Sequence, residues 1–201
     1  MAKQKVLDKA QVIRQAALAM IVEDGFHGLS MPRLAARAGI APGTIYLYFA
    51  SRQDMLDTLY LEVRQQGDAA MLAGFHPELP LADGLRLLWH NTFHYFVAHP
   101  LEFAFTEQFI NSPHIAAVVA REDPQYRELR RAFYRQVRER GELADLPVEV
   151  YWAVAFAPLY QLVRFALEGS RHLPADFQHM EQKLDQTLEI VVAALRPAGS
   201  R

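Results

Sequence analysis

Apolar positions recur along this chain at intervals of three and four residues almost from end to end, the period of a helix with one buried face. The first such stripe is Ala10, Ile13, Ala17, Met20 and Ile21. It predicts a helix over about 7–24, stopped by Gly25, with Phe26 following as a core plug. Ser30 is placed to cap a short helix reaching Ala38, and Pro32 falls in its first turn, where no backbone bond is lost. Gly39 permits the positive φ of a tight turn, and a third short helix is expected over 42–48. Ser51 and Asp54 have the spacing of a capping box opening a long fourth helix through Leu72.

The stretch 74–80 (GFHPELP) reads as a loop. Beyond it helices are expected over 81–98, 101–110, 114–120, 124–140, 147–168 and 176–195. Pro100, Pro113, Pro124, Gly141, Gly169 and Pro174 punctuate them, and 197–201 is a tail expected to fray. Pro158 breaks the local rule: inside a helix it leaves the Val154 carbonyl without its donor and predicts a kink. Strand-like alternation between tight-turn dipeptides is absent, so the expected class is all-α.

Composition adds limits. A chain of 201 residues, 51% hydrophobic and 22% charged, can bury a real core and is not that of a disordered protein. The absence of cysteine excludes disulfides and thiolate metal sites. The first nine residues mix charged and apolar side chains unlike a signal peptide, and no run of ~20 uninterrupted apolar residues appears. The expectation is a cytoplasmic protein without membrane association. Net charge is only -2, but residues 1–52 carry +4 and the remainder -6. A basic head on an acidic body suits an end that approaches phosphates.

Three short helices with a glycine between the second and third are what a helix-turn-helix requires: one buttress, one helix across the phosphate backbone, one in the major groove. The segment 28–52, GLSMPRLAARAGIAPGTIYLYFASR, sharpens this. With Gly25-Phe26, Leu34-Ala35, Ala38-Gly39-Ile40, the run from Gly43 to Phe49, and Ser51-Arg52, the chain resembles the TetR family of transcriptional regulators over about its first 60 residues. Leu34, Ala38, Ile40, Ile45 and Phe49 have the spacing to form the head's core. Thr44 and Tyr46 lie off that face with hydroxyls for a phosphate or a base edge, and Tyr48 offers a ring and a hydroxyl. Pro42 and Gly43 allow close approach to the groove, and Leu47 offers only apolar contact. Arg33 supplies charge, and so does Arg37. By the resemblance, Ser30 touches phosphate in addition to capping, and Arg52 stands where the family usually has a phosphate-contacting lysine. Ala41 departs from the common Ser or Thr.

The resemblance implies a tetracycline repressor-like arrangement. A helix-turn-helix domain over 1–52 is followed by a helical effector-binding and dimerisation domain over 53–196. The implied partners are double-stranded operator DNA, a small-molecule effector and a second copy of the chain; repression is the expected mode. The last two long helices are apolar enough to suggest a four-helix dimer seam through Val154, Leu159, Val163, Leu167, Leu184, Leu188, Val191, Val192 and Leu195. Aromatics crowd the middle of the chain. Trp89, Phe93, Phe105, Phe109, Tyr134, Trp152, Phe156 and Tyr160, with Asn91, His94 and Gln108 as polar handles, can wall a pocket for a mainly hydrophobic ligand. The same set also reads as a filled core.

His90 and His94 are four apart on one helical face, with His99, Glu102 and Glu107 near in sequence. This HxxxH lacks the glutamate of a metalloprotease motif, and neither a metal nor another cofactor is expected. With no nucleophile elbow, P-loop or dinucleotide fingerprint, an enzyme is not expected either.

Overall fold

The first helix keeps going where the sequence offers no reason to begin late. In the computed structural model, which describes residues 2–169 and 179–198 and side chains from Lys9 onward, α1 spans Ala2–Gly28. Residues 2–6 (AKQKV) contain mostly good helix formers and no breaker, so the helix runs five residues further upstream than expected. Its real interruption is Gly25, at φ 70 and ψ 177, the predicted stop. Next come α2 (Met31–Arg37) and α3 (Pro42–Ile45), with Gly39 between them at φ 67. Only one turn of α3 is regular. Tyr48 then donates to the Ile45 carbonyl in the tighter i to i+3 pattern, so 46–48 form a turn. The forward half of the capping box forms, the Asp54 N–H donating to Ser51 Oγ at 3.0 Å, while the Asp54 carboxylate reaches back one residue further and accepts from the Ala50 N–H at 2.9 Å. It opens α4 (Arg52–Met71).

The remaining elements are α5 (Leu81–Ala98), α6 (Pro100–Ile110), α7 (Ile115–Val118), a 3-10 turn (Val119–Arg121), α8 (Pro124–Glu139), α9 (Val148–Glu168) and α10 (Met180–Leu195). No strand occurs among the described residues. The expected start of the last helix at Asp176, the break at Pro174 and the tail end 199–201 lie outside them.

The chain forms two compact units, and they do not follow chain order. Unit 1 comprises Met1–Gln66 and His99–Glu122; unit 2 comprises Gly67–Ala98 and Asp123–Arg201. A boundary after residue 52 therefore falls inside unit 1. Ile13, Ala17, Met20 and Ile21 of the predicted α1 stripe are buried there with Leu34, Ile45 and Phe49, and the same core takes in Leu56 and Tyr60 of α4, Phe105 and Phe109 of α6, and Val118. Tyr60 stacks on Phe109 at 4.3 Å between ring centroids, and Phe26 meets Phe109 edge-on.

In unit 2, α5 packs against α9 and α10. The Trp89 indole N–H donates to the Ala155 carbonyl at 2.8 Å, which satisfies the one polar atom of a fully buried ring. Asn91 donates to the carbonyls of Met71 and Ala73 and so closes the C-terminus of α4. Asp68, buried, pairs with Arg130 at 2.8 Å. The carboxylate of Glu142 accepts from the Leu81 N–H at 2.5 Å and caps α5 from the loop before α9. By length and composition α9 is apolar enough to cross a membrane, but in this unit Tyr151, Ala155, Leu159, Leu162 and Val163 are core. Pro158 lies inside α9, which continues past it to Glu168.

Gly84 of α5 lies directly against a ring of α8: a Cβ there would stand 2.4 Å from Phe133. Alanine would gain ~1 kcal/mol of helix propensity but force a rigid, fully buried ring aside, an overpacking cost of typically ~1–3 kcal/mol. Gly84→Ala is expected to lower the thermal midpoint, and Phe133→Leu in the same chain to recover part of the loss. An unchanged midpoint would remove the close-packing argument.

Burial works to raise the Glu142 carboxyl, but the Leu81 N–H and Arg140 outweigh it and hold it below the ordinary carboxylate value. Its contribution is therefore complete above the unfolded carboxylate range and disappears as pH falls through the lower, folded value. Urea unfolding should find Glu142→Gln less stable than wild type near neutrality, with the gap closing on acidification. A gap independent of pH would contradict the assigned charge.

Candidate nucleic-acid interface

The head sorts its residues as a reading surface needs. Leu34, Ile45 and Phe49 are buried, with Ala38, Ile40 and Tyr48 packed partly against them. With Ile45 and Phe49 turned inward, the intervening side chains are turned out: Tyr46 is 57% exposed and Leu47 83%. Pro42 and Gly43 are exposed and Thr44 is half-buried beside them. Gly43 has nothing within 4 Å of where a Cβ would stand, so its surface is open. Ser30 is the N-cap of α2, accepting from the Arg33 N–H at 3.4 Å.

The arginines behave otherwise than the sequence suggested. The Arg52 guanidinium, the expected phosphate ligand, donates to the carbonyls of Leu29 (3.1 Å) and Phe26, where the first two helices meet. Arg33 donates to the Gly28 carbonyl and pairs with Asp24 at 2.7 Å. Arg37 makes a two-pronged pair with Glu23, both contacts at 2.6 Å. That hydrogen bond with Arg37 holds the Glu23 carboxyl below, and the guanidinium above, their ordinary values. Arg14 is held by Glu62 at 2.8 Å. Each of these cations has a partner within unit 1, and of the four only Arg52 bonds more than one partly buried carbonyl. Summed charge could not distinguish a cation aimed at DNA from one bonded to its own chain.

The aromatic set is divided. Phe105, Gln108 and Phe109 lie on α6 in unit 1, where both rings are fully buried and Gln108 donates to the Val22 carbonyl. Trp89, Asn91, Phe93, His94, Tyr134, Trp152, Phe156 and Tyr160 belong to unit 2. There Trp89 and Phe93 are buried, Tyr134 donates to the Leu146 carbonyl, and Trp152 stacks on Phe156 at 4.7 Å on a partly open face. The α6 residues are thus core of the head's own unit. In unit 2 one cleft of ≈ 300 Å³ is lined instead by Ala82, Arg86, Leu188 and Val192, and another of ≈ 460 Å³ by Asp83, Arg86, Leu87, His90 and Asp185.

The expected dimer seam also needs correction. Leu159, Val163, Leu184, Leu188, Val191, Val192 and Leu195 are buried within a single protomer, and Val154 and Leu167 are half-buried. A helix pair apolar on two sides gives no clue, from its sequence, about which side faces its own core. The open apolar positions of α9 and α10 are Val148, Val150, Trp152 at 37% and Ile190 at 70%, with exposed alanines at 153, 157, 193 and 194.

His90 and His94 do share a face of α5, but their partners are Glu181 and Asp185 of α10. His99, Glu102 and Glu107 belong to unit 1.

Residues 13–59 match the family described as bacterial regulatory proteins, tetR family, and residues 80–192 match the tetracyclin repressor-like C-terminal domain. This chain belongs to the TetR family. Like its relatives it is a helix-turn-helix, DNA-binding transcriptional regulator, not an enzyme. An uncharacterized HTH-type regulator of Haemophilus influenzae is 25% identical over 153 residues, covering 76% of this chain and 80% of that protein. The fatty acid metabolism regulator protein of Bacillus subtilis is 43% identical over 60 residues, 30% of each chain. Among solved structures, a TetR family regulator from Marinobacter aquaeolei VT8 superimposes with a TM-score of 0.80 at 23% identity, covering 96% of this chain and 98% of that one. FadR of Bacillus subtilis in complex with stearoyl-CoA gives 0.71 at 20% identity, covering 93% and 100%.

For this TetR-family head, Arg52→Ala should lower the thermal midpoint, because two partly buried carbonyls lose their donor at a cost of roughly 1–3 kcal/mol. Arg37→Ala, which breaks an exposed pair, should hardly move it. Equal effects from the two would show that the Arg52 contacts do not brace the head.

Proposed function

We propose that the protein is a homodimeric repressor that reads a pseudo-palindromic operator and leaves it when a small, mainly hydrophobic ligand binds. The observation that carries the DNA reading is the outward presentation of Tyr46 and Leu47 beside Thr44, on a turn whose inner face is locked by Ile45 and Phe49. Tyr46 and Thr44 bring hydroxyls to base edges, Leu47 packs on thymine methyls, and Pro42 and Gly43 let the backbone approach. Ser30 and Tyr48 touch phosphate, and Arg33 adds positive potential while tied to Asp24. Arg52 acts chiefly by holding the junction of the first two helices in place.

Dimerisation is assigned to the open face of α9 and α10, with Trp152 and Ile190 as anchors among alanines small enough for a second helix pair to come close. Two heads then meet successive major grooves with half-site centres about 34–36 Å apart, or a multiple of it. A hydrophobic effector is supported by the fatty acid metabolism regulator protein that is 43% identical over 60 residues and by the stearoyl-CoA complex of a protein with this fold. In this chain the half-buried unit 2 aromatics Tyr134, Phe156 and Tyr160 are the side chains offered to it. The ligand acts only so far as it prefers one arrangement of the dimer over the operator-bound one. Action on DNA places the protein in the cytoplasm.

The test is a genome-wide footprint followed by binding to the operator found. Tyr46→Ala and Thr44→Val should cost on the order of 1–3 kcal/mol on that operator and little on random DNA. Ile190→Glu should give a monomer by light scattering and weaken operator binding. Equal loss on both DNAs would sink the base-reading assignment, and a monomeric wild type with full affinity would sink the dimer.

A further inference from the structure

Two helices of unit 2 each present a pair of metal-competent side chains one turn apart, and the pairs face each other. His90 and His94 on α5 stand opposite Glu181 and Asp185 on α10. The His94 Nε2 lies 2.6 Å from Glu181 Oε1, the His90 Nδ1 lies 3.7 Å from Glu181 Oε2, and the His90 Nε2 lies 2.9 Å from Asp185 Oδ1. One ligand atom from each of His90, His94 and Glu181 can be chosen so that all three fall within 4.8 Å of one another.

We propose that His90 Nδ1, His94 Nε2 and the Glu181 carboxylate bind one zinc ion, with Asp185 as the residue that orients His90. Around tetrahedral zinc, bonds of about 2.0–2.2 Å place neighbouring ligand atoms about 3.3 Å apart. The two separations involving Glu181 lie on either side of that value, and all three ligand atoms lie within 4.8 Å of one another, so closing the shell asks for small adjustments of half-exposed and exposed side chains. The tautomer is set by the surroundings. Asp185 accepts at His90 Nε2 and keeps the proton there, which leaves the Nδ1 lone pair turned toward Glu181. Asp185 is itself anchored by Arg86 at 3.0 Å. A carboxylate holding the far nitrogen of a metal-bound imidazole is the usual outer-shell arrangement, and it raises the basicity of the ligand.

On binding, His94 must be neutral with its proton on Nδ1, and any proton shared with Glu181 leaves to solvent. Two imidazoles and one carboxylate suit zinc and its later first-row neighbours; magnesium and calcium require more oxygen. The three ligands leave a fourth position for water or a small anion. His90 and Asp185 also line the ≈ 460 Å³ cleft, which gives that position access from solvent. The ion ties α10 to α5.

The full chain, free of any affinity tag and stripped with chelator, is titrated with zinc against a chromophoric chelator. One zinc per chain is expected, undisturbed by millimolar magnesium. His94→Ala and Glu181→Gln, both at open positions, should each weaken binding at least tenfold with unchanged circular dichroism. Asp185→Asn should weaken it roughly 10- to 100-fold. Zinc should raise the thermal midpoint of wild type and not that of His94→Ala. Should a variant misfold, the imidazole resonances of the wild type decide: two histidines, assigned to 90 and 94, should shift together on zinc addition. No retained zinc, undiminished affinity in both His94→Ala and Glu181→Gln, or shifts at other histidines would overturn the site.

Discussion

The stacking of Tyr60 on Phe109 marks the constraint on which unit 1 rests: a helix-turn-helix of some fifty residues has too little interior of its own. The stripe of α1 can serve α2 and α3 on one side, yet Leu18, Met20 and Ile21 leave more apolar surface than those short helices cover. The chain meets the deficit from a distance. Phe105, Phe109 and Val118 join the same core, and Tyr60 and Leu56 of α4 complete it. The unit that carries the head is therefore made from two stretches of sequence, and its stability includes long-range contacts made by α6. This also removes Phe105 and Phe109 from any ligand pocket, because a fully buried ring stacked in the head's core has no open face to offer.

A second constraint follows from how the head holds its arginines. Arg14, Arg33, Arg37 and Arg52 all have partners inside unit 1. Arg52 satisfies carbonyls at the very bend where Gly25 interrupts α1. Helix ends leave carbonyls without donors, and a five-donor guanidinium suits two of them at once. The cation that most resembles a phosphate ligand in the sequence thus works first as a brace. The outward side of the turn after α2 offers two hydroxyls, a proline, a glycine and a leucine, with the exposed but paired Arg33 and Arg37 on α2 beside it.

Legibility followed the range of the interaction. Helix stops and caps are decided within four residues, so Gly25, Ser30, Gly39, and Ser51 with Asp54 could be read directly, as could the inward turn of Leu34, Ile45 and Phe49. The helical class followed from period alone. What could not be read were pairings between distant segments. Leu184, Leu188 and Leu195 are apolar at helical spacing whether they face their own protomer or another, and periodicity is silent on the choice. The sequence showed His90 and His94 as a pair. Their partners Glu181 and Asp185 lie some ninety residues away, while the nearer His99, Glu102 and Glu107 belong to another unit.

The same limit explains why α10 repays close reading. Its buried edge carries Leu184, Leu188, Val191 and Leu195, one open edge carries Ile190 among alanines, and its first turns carry Glu181 and Asp185. One sixteen-residue helix thus serves the core, offers an apolar face and presents two carboxylates to α5. These demands coexist because they fall at different angles around the helix. A side chain at i and another at i+4 share a face, whereas i and i+2 do not. Where α10 sits is fixed by its leucines, which are too buried to be adjustable. The carboxylates and Ile190 stand on the more open side, so their interactions can change without dismantling the core. Any influence of a bound ion or ligand on the apolar face must therefore act through small shifts of a whole, well-packed helix, and its size is bounded by the difference in affinity between the two positions of that helix.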